Sequence, residues 1–228
     1  MSPASRVKRA VAKAIYANYG RHAPYLRQLE RLNRMPLLSS LARASRHTPS
    51  FPTREAMWDF VCDRAPSRID YLEFGVHEGH SILHWAARNR DPESRFYGFD
   101  TFTGLPERWS SLYPEGHFDA GGRPPDAADP RVSFVKGLFQ DTLPAFLDRW
   151  RREGAVVVHN DCDLYSSTLF CLTTLDRVLR PGSLVVFDEF GDVLHEFRAF
   201  QDYVAGYRRQ FRVVCSHDDF FTVAVEML

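Results

Sequence analysis

Tyr71-Leu72-Glu73-Phe74-Gly75-Val76-His77-Glu78-Gly79, followed by Phe96-Tyr97-Gly98-Phe99-Asp100, decides how this chain is read. The apolar run before Gly75 has strand character. Gly75 and Gly79 permit a tight turn and close approach of a ligand to backbone. Ser81 to Ala87 then reads as the start of a helix, whose N-terminus offers free N–H groups. Asp100 falls 21 residues after Gly79, at the end of a second apolar strand. At that spacing in a doubly wound sheet, an acid meets the hydroxyls of a nucleotide ribose.

A dinucleotide site takes G-x-G-x-x-G, so that backbone N–H groups cradle a pyrophosphate. This chain has Glu73-x-Gly75-x-x-x-Gly79 instead. A carboxylate in that place repels a pyrophosphate and welcomes a cationic ligand. S-adenosylmethionine carries an amino group and a sulfonium and has no phosphate. The pattern resembles motif I of the class I methyltransferases. The competing reading is a tight β-α turn with no ligand.

At 228 residues the chain forms one domain, or one domain with an appendage, and buries a real core. Its net charge is zero, so overall charge makes no case for nucleic acid or an acidic surface as partner. The charge is unevenly spread, however. Residues 1–53 hold ten Arg or Lys and one acid, Glu30, whereas residues 54–228 hold 19 and 28. Such a basic stretch marks either a surface-binding arm or a solvated helical arm packed on an acidic body. None of Cys62, Cys162, Cys171 and Cys215 forms a C-x-x-C pair, which argues against zinc and for a reducing cytoplasm. No apolar run approaches the length of a membrane span, and no apolar signal-peptide core opens the chain. The Arg-rich start leaves an organellar transit peptide as an alternative to the arm.

Periodicity places two short helices, over residues 5–18 and Tyr25 to Leu41, in an N-terminal arm. Thr48 to Pro52 reads as a linker, and Thr53 as the cap of a helix from Arg54 to Cys62. Strands and helices then alternate. Strands are expected at Ile69–Phe74, Ser94–Asp100, Val132–Lys136, Ala155–His159 and Ser183–Phe187. Helices are expected at Ser81–Asn89, Asp141–Arg151 with Pro144 in its first turn, Ser166–Leu179 and Leu194–Tyr207. Phe211–Ser216 and Phe220–Met227 close the chain as a hairpin across His217-Asp218-Asp219. Gly104 to Pro130 has no regular pattern. It is read as a lid over the site, with a disordered insert as the alternative.

A second group of residues lies at two strand ends. Asp161 and Asp163 follow the fourth strand, and Asp188-Glu189 follow the fifth. Ligands of parallel sheets bind beyond such carboxyl ends. Clustered carboxylates repel one another unless a cation or proton intervenes, and an all-oxygen set suits Mg²⁺. The competing roles are a helix cap for Asp163 and backbone N–H partners for Asp188 and Glu189.

With these motifs in order, residues 68–225 resemble the macrocin O-methyltransferase family. The resemblance rests on Tyr71–Gly79, Phe96–Pro106, Gly116–Asp119, Lys136–Pro144, Asp161–Thr168 and Phe187–Phe190. It implies a Rossmann-like α/β fold: a seven-stranded class I methyltransferase sheet, its last strand antiparallel, with helices on both faces. The division expected is an arm over 1–53 and a methyltransferase domain over 54–228. The resemblance implies that Glu73, Phe74, Gly75, Val76, Gly79 and Ser81 line the methionine end of S-adenosylmethionine. Asp100 takes the ribose hydroxyls, with Thr101, Phe102 and Gly104 beside it, and Gly137, Leu138 and Phe139 border the adenine. Asp161, Asp188 and Glu189 hold Mg²⁺, which binds vicinal hydroxyls of the acceptor. The family has D-A-D and D-D where this chain has Asp161-Cys162-Asp163 and Asp188-Glu189, and Asn160 replaces an apolar residue.

The reaction implied is in-line methyl transfer to a hydroxyl of a small-molecule acceptor, a sugar or a glycosylated natural product. Asp161 and Asp163 are the catalytic candidates. Related catechol-type enzymes carry a lysine base where this chain has Leu164, so Asp163 is ranked first, ahead of His159 and His117. His195 and His217 read as surface residues, and Tyr165 as a packing or capping residue. The readings this one competes with are a metal-independent small-molecule methyltransferase and a non-catalytic S-adenosylmethionine-binding protein. A nucleic-acid methyltransferase predicts an N-P-P-Y-type motif, which Asn160-Asp161-Cys162-Asp163 is not. The expected partners are therefore a small acceptor and, through the arm, a second copy of the chain, with neither nucleic acid nor membrane.

Overall fold

The computed structural model describes residues 23–228, so the helix expected over residues 5–18 lies outside the described residues. The elements run α1 (Ala23–Ala44), β1 (Ser50–Phe51), α2 (Arg54–Arg64), β2 (Ile69–Phe74), α3 (His80–Arg88), β3 (Arg95–Asp100) and β4 (Val132–Lys136). They continue with α4 (Phe139–Arg149), β5 (Ala155–Asn160), α5 (Tyr165–Leu175), β6 (Leu184–Phe187), α6 (Glu196–Gly206), β7 (Phe211–His217) and β8 (Thr222–Met227).

All eight strands join one sheet in the order β1-β7-β8-β6-β5-β2-β3-β4. β2 pairs in parallel with both β3 and β5, while β8 is antiparallel to β6 and β7. From β2 the chain first builds outward through β3 and β4, then returns to lay β5 and β6 on the other side. The carboxyl ends of β2 and β5 are thus a topological switch point, where such sheets leave a crevice.

β2 and β6 are buried along their whole length, which explains their unbroken apolar character. Successive residues serve opposite faces. Leu72, Phe74, Val158 and Phe187 pack on Leu143 of α4, Leu172 of α5 and Phe200 of α6. Tyr71, Val157 and Val186 pack on Trp58 and Val61 of α2 and Ile82 and Trp85 of α3.

Four expectations need correction. Ser50 and Phe51, read as linker, pair in parallel with Ser216 and His217, so the sheet has eight strands rather than seven. Pro144 is the sixth residue of α4 rather than a first-turn residue, because the helix begins at Phe139. α5 ends at Leu175, and a hydrogen-bonded turn carries the chain to Leu179. The closing hairpin turns later than expected, since Asp218, Asp219 and Phe220 all have left-handed φ, from 49 to 76°. Thr53 caps α2 as read, its hydroxyl accepting from the Ala56 N–H at 3.2 Å. Among the described residues no helix is long and apolar enough to cross a membrane.

Candidate active site

Gly75 opens the site where β2 ends. Its φ is +89°, and a Cβ there would lie 1.7 Å from the Asp161 carbonyl oxygen, so the two strand ends touch through a glycine. Gly79 (φ +83°) precedes α3, and a Cβ on it would meet the Pro125 ring at 2.8 Å. The Asp100 carboxylate ties the turn after β2 to the segment after β3. Its Oδ2 accepts from the Val76 and His77 N–H groups and its Oδ1 from the Phe102 N–H, each at 2.8 Å.

A cavity of about 460 Å³ lies over these strand ends. Of the residues expected to hold S-adenosylmethionine, Gly75, Asp100, Thr101, Gly104, Leu138 and Phe139 line it. Phe74, Val76, Phe102 and Ser81 are buried and stand behind the wall, and Gly79 and Gly137 shape the backbone beside it. Glu73 also departs from expectation. It is 0% exposed and accepts from the Tyr71 hydroxyl and, at 2.9 Å, from the Ser81 hydroxyl. It supports the wall without facing the cavity, because its place on β2 points it toward α3.

The irregular segment from Gly104 folds back on itself. Leu105 N–H donates to His117 O at 2.8 Å, and Gly116 N–H to Leu105 O at 2.9 Å. Trp109 stacks on Tyr113 and Tyr113 on Phe118, with centroids 4.8 and 5.7 Å apart. The Trp109 indole donates to Asp192 at 3.2 Å. Trp109, Tyr113 and Phe118 all line the cavity, as a lid would. His117 belongs to the same aromatic group, 4.4 Å from Phe118.

Asp161, Asp163, Asp188 and Glu189 line the other side. The expected metal trio is split. Ligand atoms of His159, Asp161 and Asp188 lie within 4.8 Å of one another, and so do those of Asp161, Asp163 and Glu189. Strand alternation is the cause: His159 and Asp188 face α2 and α3, while Asn160 and Glu189 turn toward α6. Asp163 does not cap α5; its φ is +59° and the cap residue is Leu164. Burial, with the charges of Asp188, Asp192 and Asp100, pushes the Asp163 carboxyl up to about 7. Burial and Asp188 likewise raise Asp161, and burial and Asp161 raise Glu189. Burial works against ionised Asp188 too, but His159 and Arg54 outweigh it and lower its pKa. For His159, burial favours the neutral ring, yet Asp188 and Glu73 win and push it to about 10.

Three features escaped the sequence reading. Arg54, the first residue of α2, binds Asp188 Oδ2 and lines the cavity, 134 residues away in sequence. Glu196 is fully buried, accepts from Asn160 Nδ2 at 2.6 Å and from the Glu189 N–H at 3.0 Å. That contact explains the polar residue at position 160, which was the one available signal. His195 and His217 are half-buried rather than superficial: His195 Nδ1 accepts from Tyr165 N–H at 3.3 Å and His217 Nδ1 meets Phe51 O at 2.9 Å. Tyr165 packs as read, under the Arg198 guanidinium at 4.1 Å.

Residues 72–190 match the family described as a methyltransferase domain, and the chain belongs to that family. A curated relative from Streptomyces olivaceus is 28% identical over 154 residues. It is named 8-demethyl-8-(2,3-dimethoxy-alpha-L-rhamnosyl)-tetracenomycin-C 4'-O-methyltransferase. The match covers 57% of this chain and spans 58% of the relative's length. The crystal structure of CalS11, a calicheamicin methyltransferase, superposes with a TM-score of 0.57 at 21% identity, over 99% of this chain and 93% of the other. A structure described as cmcI-D160 Mg-SAM gives 0.52 at 14% identity, over 77% and 71%. The fold is that of the class I methyltransferases, with a short additional strand, β1, at one edge.

Proposed function

We propose that this chain is an S-adenosylmethionine-dependent O-methyltransferase acting on a hydroxyl of a small molecule, a sugar or a glycosylated natural product. One observation carries the reading. A single cavity at the switch point joins Asp100, the acid at the end of β3, to the acids Asp161, Asp163, Asp188 and Glu189. The rhamnosyl-tetracenomycin methyltransferase among the relatives supports a glycosylated acceptor.

Bound in this cavity, S-adenosylmethionine would supply a methyl group already activated on a sulfonium. The chain's task is then to position the acceptor. Asp100 retains lone pairs for ribose hydroxyls, and Leu138 and Phe139 offer an apolar wall for adenine. Asp163, with a carboxyl at about 7, is partly ionised near neutral pH and suits the role of base toward a hydroxyl. Asp161 would orient that hydroxyl. The fit to a cation rests on buried oxygens without a hydrogen-bond partner, Asp188 Oδ1 and Glu189 Oε2. Asp161 and Asp188 would hold Mg²⁺, with Glu189 turned to the other face, and the ion would lower the pKa of an alcohol bound to it.

A metal-independent methyltransferase is the second reading, and Arg54 favours it by supplying a fixed positive charge to Asp188. Calorimetric titration of S-adenosylhomocysteine, with Mg²⁺ and again with a chelator, tests both. Binding in both conditions supports the cofactor site, and turnover of a glycoside acceptor only with metal separates the two readings. No binding to the folded protein overturns the methyltransferase proposal.

A further inference from the structure

We propose that the cation site of this cavity includes an imidazole: His159 Nε2, Asp161 and Asp188 Oδ1 form a mixed nitrogen–oxygen site that prefers a first-row transition metal to Mg²⁺. The inference rests on the reading that Asp161 and Asp188 hold a divalent cation, and it changes the third ligand and the class of metal.

The argument begins with hydrogen-bond direction. Tyr71 has one hydroxyl proton, which it donates to Glu73 Oε2. The same hydroxyl lies 2.7 Å from His159 Nδ1, so it accepts there, and Nδ1 carries the proton. The remaining ring nitrogen, Nε2, faces Asp188 Oδ1 at 3.8 Å. Neither atom has a hydrogen-bond partner, and the two side chains are 0 and 2% exposed. Two buried acceptors facing each other repel unless a cation lies between them. In the metal-free chain a proton fills that gap, and a metal takes the proton's place on binding.

The third ligand is already present. An Asp161 carboxylate oxygen lies within 4.8 Å of a His159 ring nitrogen and of an Asp188 carboxylate oxygen, and Asp161 and Asp188 line the cavity, so the site is open to a small molecule. Each buried ligand is held from behind. Tyr71, itself bonded to Glu73, fixes the His159 ring, and Arg54 holds Asp188 through Oδ2, leaving Oδ1 for the gap. Such outer partners orient the ligands of metal sites and set the imidazole tautomer. Trp58, edge-on at 5.5 Å, further confines the ring. Mg²⁺ takes oxygen ligands and keeps its water, whereas imidazole suits Zn²⁺, Fe²⁺ and Ni²⁺; Mn²⁺, which accepts carboxylates as Mg²⁺ does and is the weakest-binding member of the first-row series, serves as the spectroscopic probe. Glu189, turned to the other face, belongs to the grouping with Asp163 and is outside this site.

Pulsed electron paramagnetic resonance of Mn²⁺ titrated into the metal-free, full-length chain tests the proposal. The expected spectrum shows nitrogen modulation from a coordinated imidazole, and Mg²⁺ added in equal amount does not displace Mn²⁺. In folded His159→Asn the modulation disappears and Mn²⁺ affinity falls at least about tenfold. The wild-type spectrum decides even where the variant fails to fold. Bound Mn²⁺ without nitrogen modulation, or modulation that persists in the variant, overturns the imidazole ligand and leaves the cation reading intact. Absence of Mn²⁺ binding overturns both.

Discussion

Asp161 and Gly75 show how far single residues constrain this site. The glycine at position 75 has left-handed backbone and no room for a methyl group. Gly75→Ala is expected to destabilise the fold by more than the ~1–3 kcal/mol of left-handed strain, because its methyl also meets the Asp161 carbonyl. Part of the molecules that fold will have lost binding of S-adenosylhomocysteine. Urea denaturation and calorimetry read the two effects, and unchanged values in both would remove the close approach from the account. Asn160 is a second case. Asn160→Leu restores an apolar residue at the end of β5 but strips Glu196 of its 2.6 Å donor in a buried place. The expected cost is about 1–3 kcal/mol. Combining it with Glu196→Gln should cost less than the sum of the two single changes. Additive costs would show that the two side chains act independently. The sequence made the motif acids visible because each sits beside a strand end. It could not show which face each takes, and so Glu73 was expected in the cavity and Asp188 with Glu189.

At the scale of elements, strands were legible where they are long and buried, as β2 is throughout and β5 is beyond Ala155, because an unbroken apolar run has few other homes. β1 was illegible: two residues carry no period, and its pairing with β7 spans 166 positions. Arg54 was hidden for the same reason, since its partner belongs to a distant element. The α5–β7 connection offers a prediction of its own. Asp176, just after α5, accepts two hydrogen bonds from Arg209 at 2.7 and 2.6 Å and one from Tyr203 at 2.9 Å. The Arg209 hydrogen bond, with that of Tyr203, lowers the Asp176 pKa against the effect of burial. A depressed folded pKa gives stability that is present above the unfolded value, near 3.8, and lost as pH falls through the folded one. Asp176→Asn should therefore be less stable than wild type by a constant amount from pH 5 to 7, with the gap closing below about pH 4. Chemical denaturation across that range checks the sign. A gap that widens on acidification would contradict it.

The described residues form a sheet with a packed layer on either side, and all four cysteines lie in it unpaired and buried. Burial pushes the Cys62 thiol up to about 11 and the Cys215 thiol up to about 12, so neither is a thiolate near neutral pH. An aromatic disulfide reagent at pH 8 is expected to find no fast thiol in the native protein and four after unfolding. Rapid reaction of even one in the native state would mean that a core layer opens. Trp85, fully buried between α3 and the sheet, should measure the worth of that layer: Trp85→Ala is expected to cost about 3–5 kcal/mol.

β1 has one more consequence. It lies along the outer side of β7, where the Ser216 N–H donates to Pro49 O at 3.0 Å, and it leads within three residues to Arg54. A proteolytic cut at the boundary before residue 54 would peel away this cover. The bared ladder of β7 would then be a template for strand addition from another molecule. Clipped protein is thus expected to form concentration-dependent clusters, visible by light scattering, so the two residues act as a guard against self-recruitment.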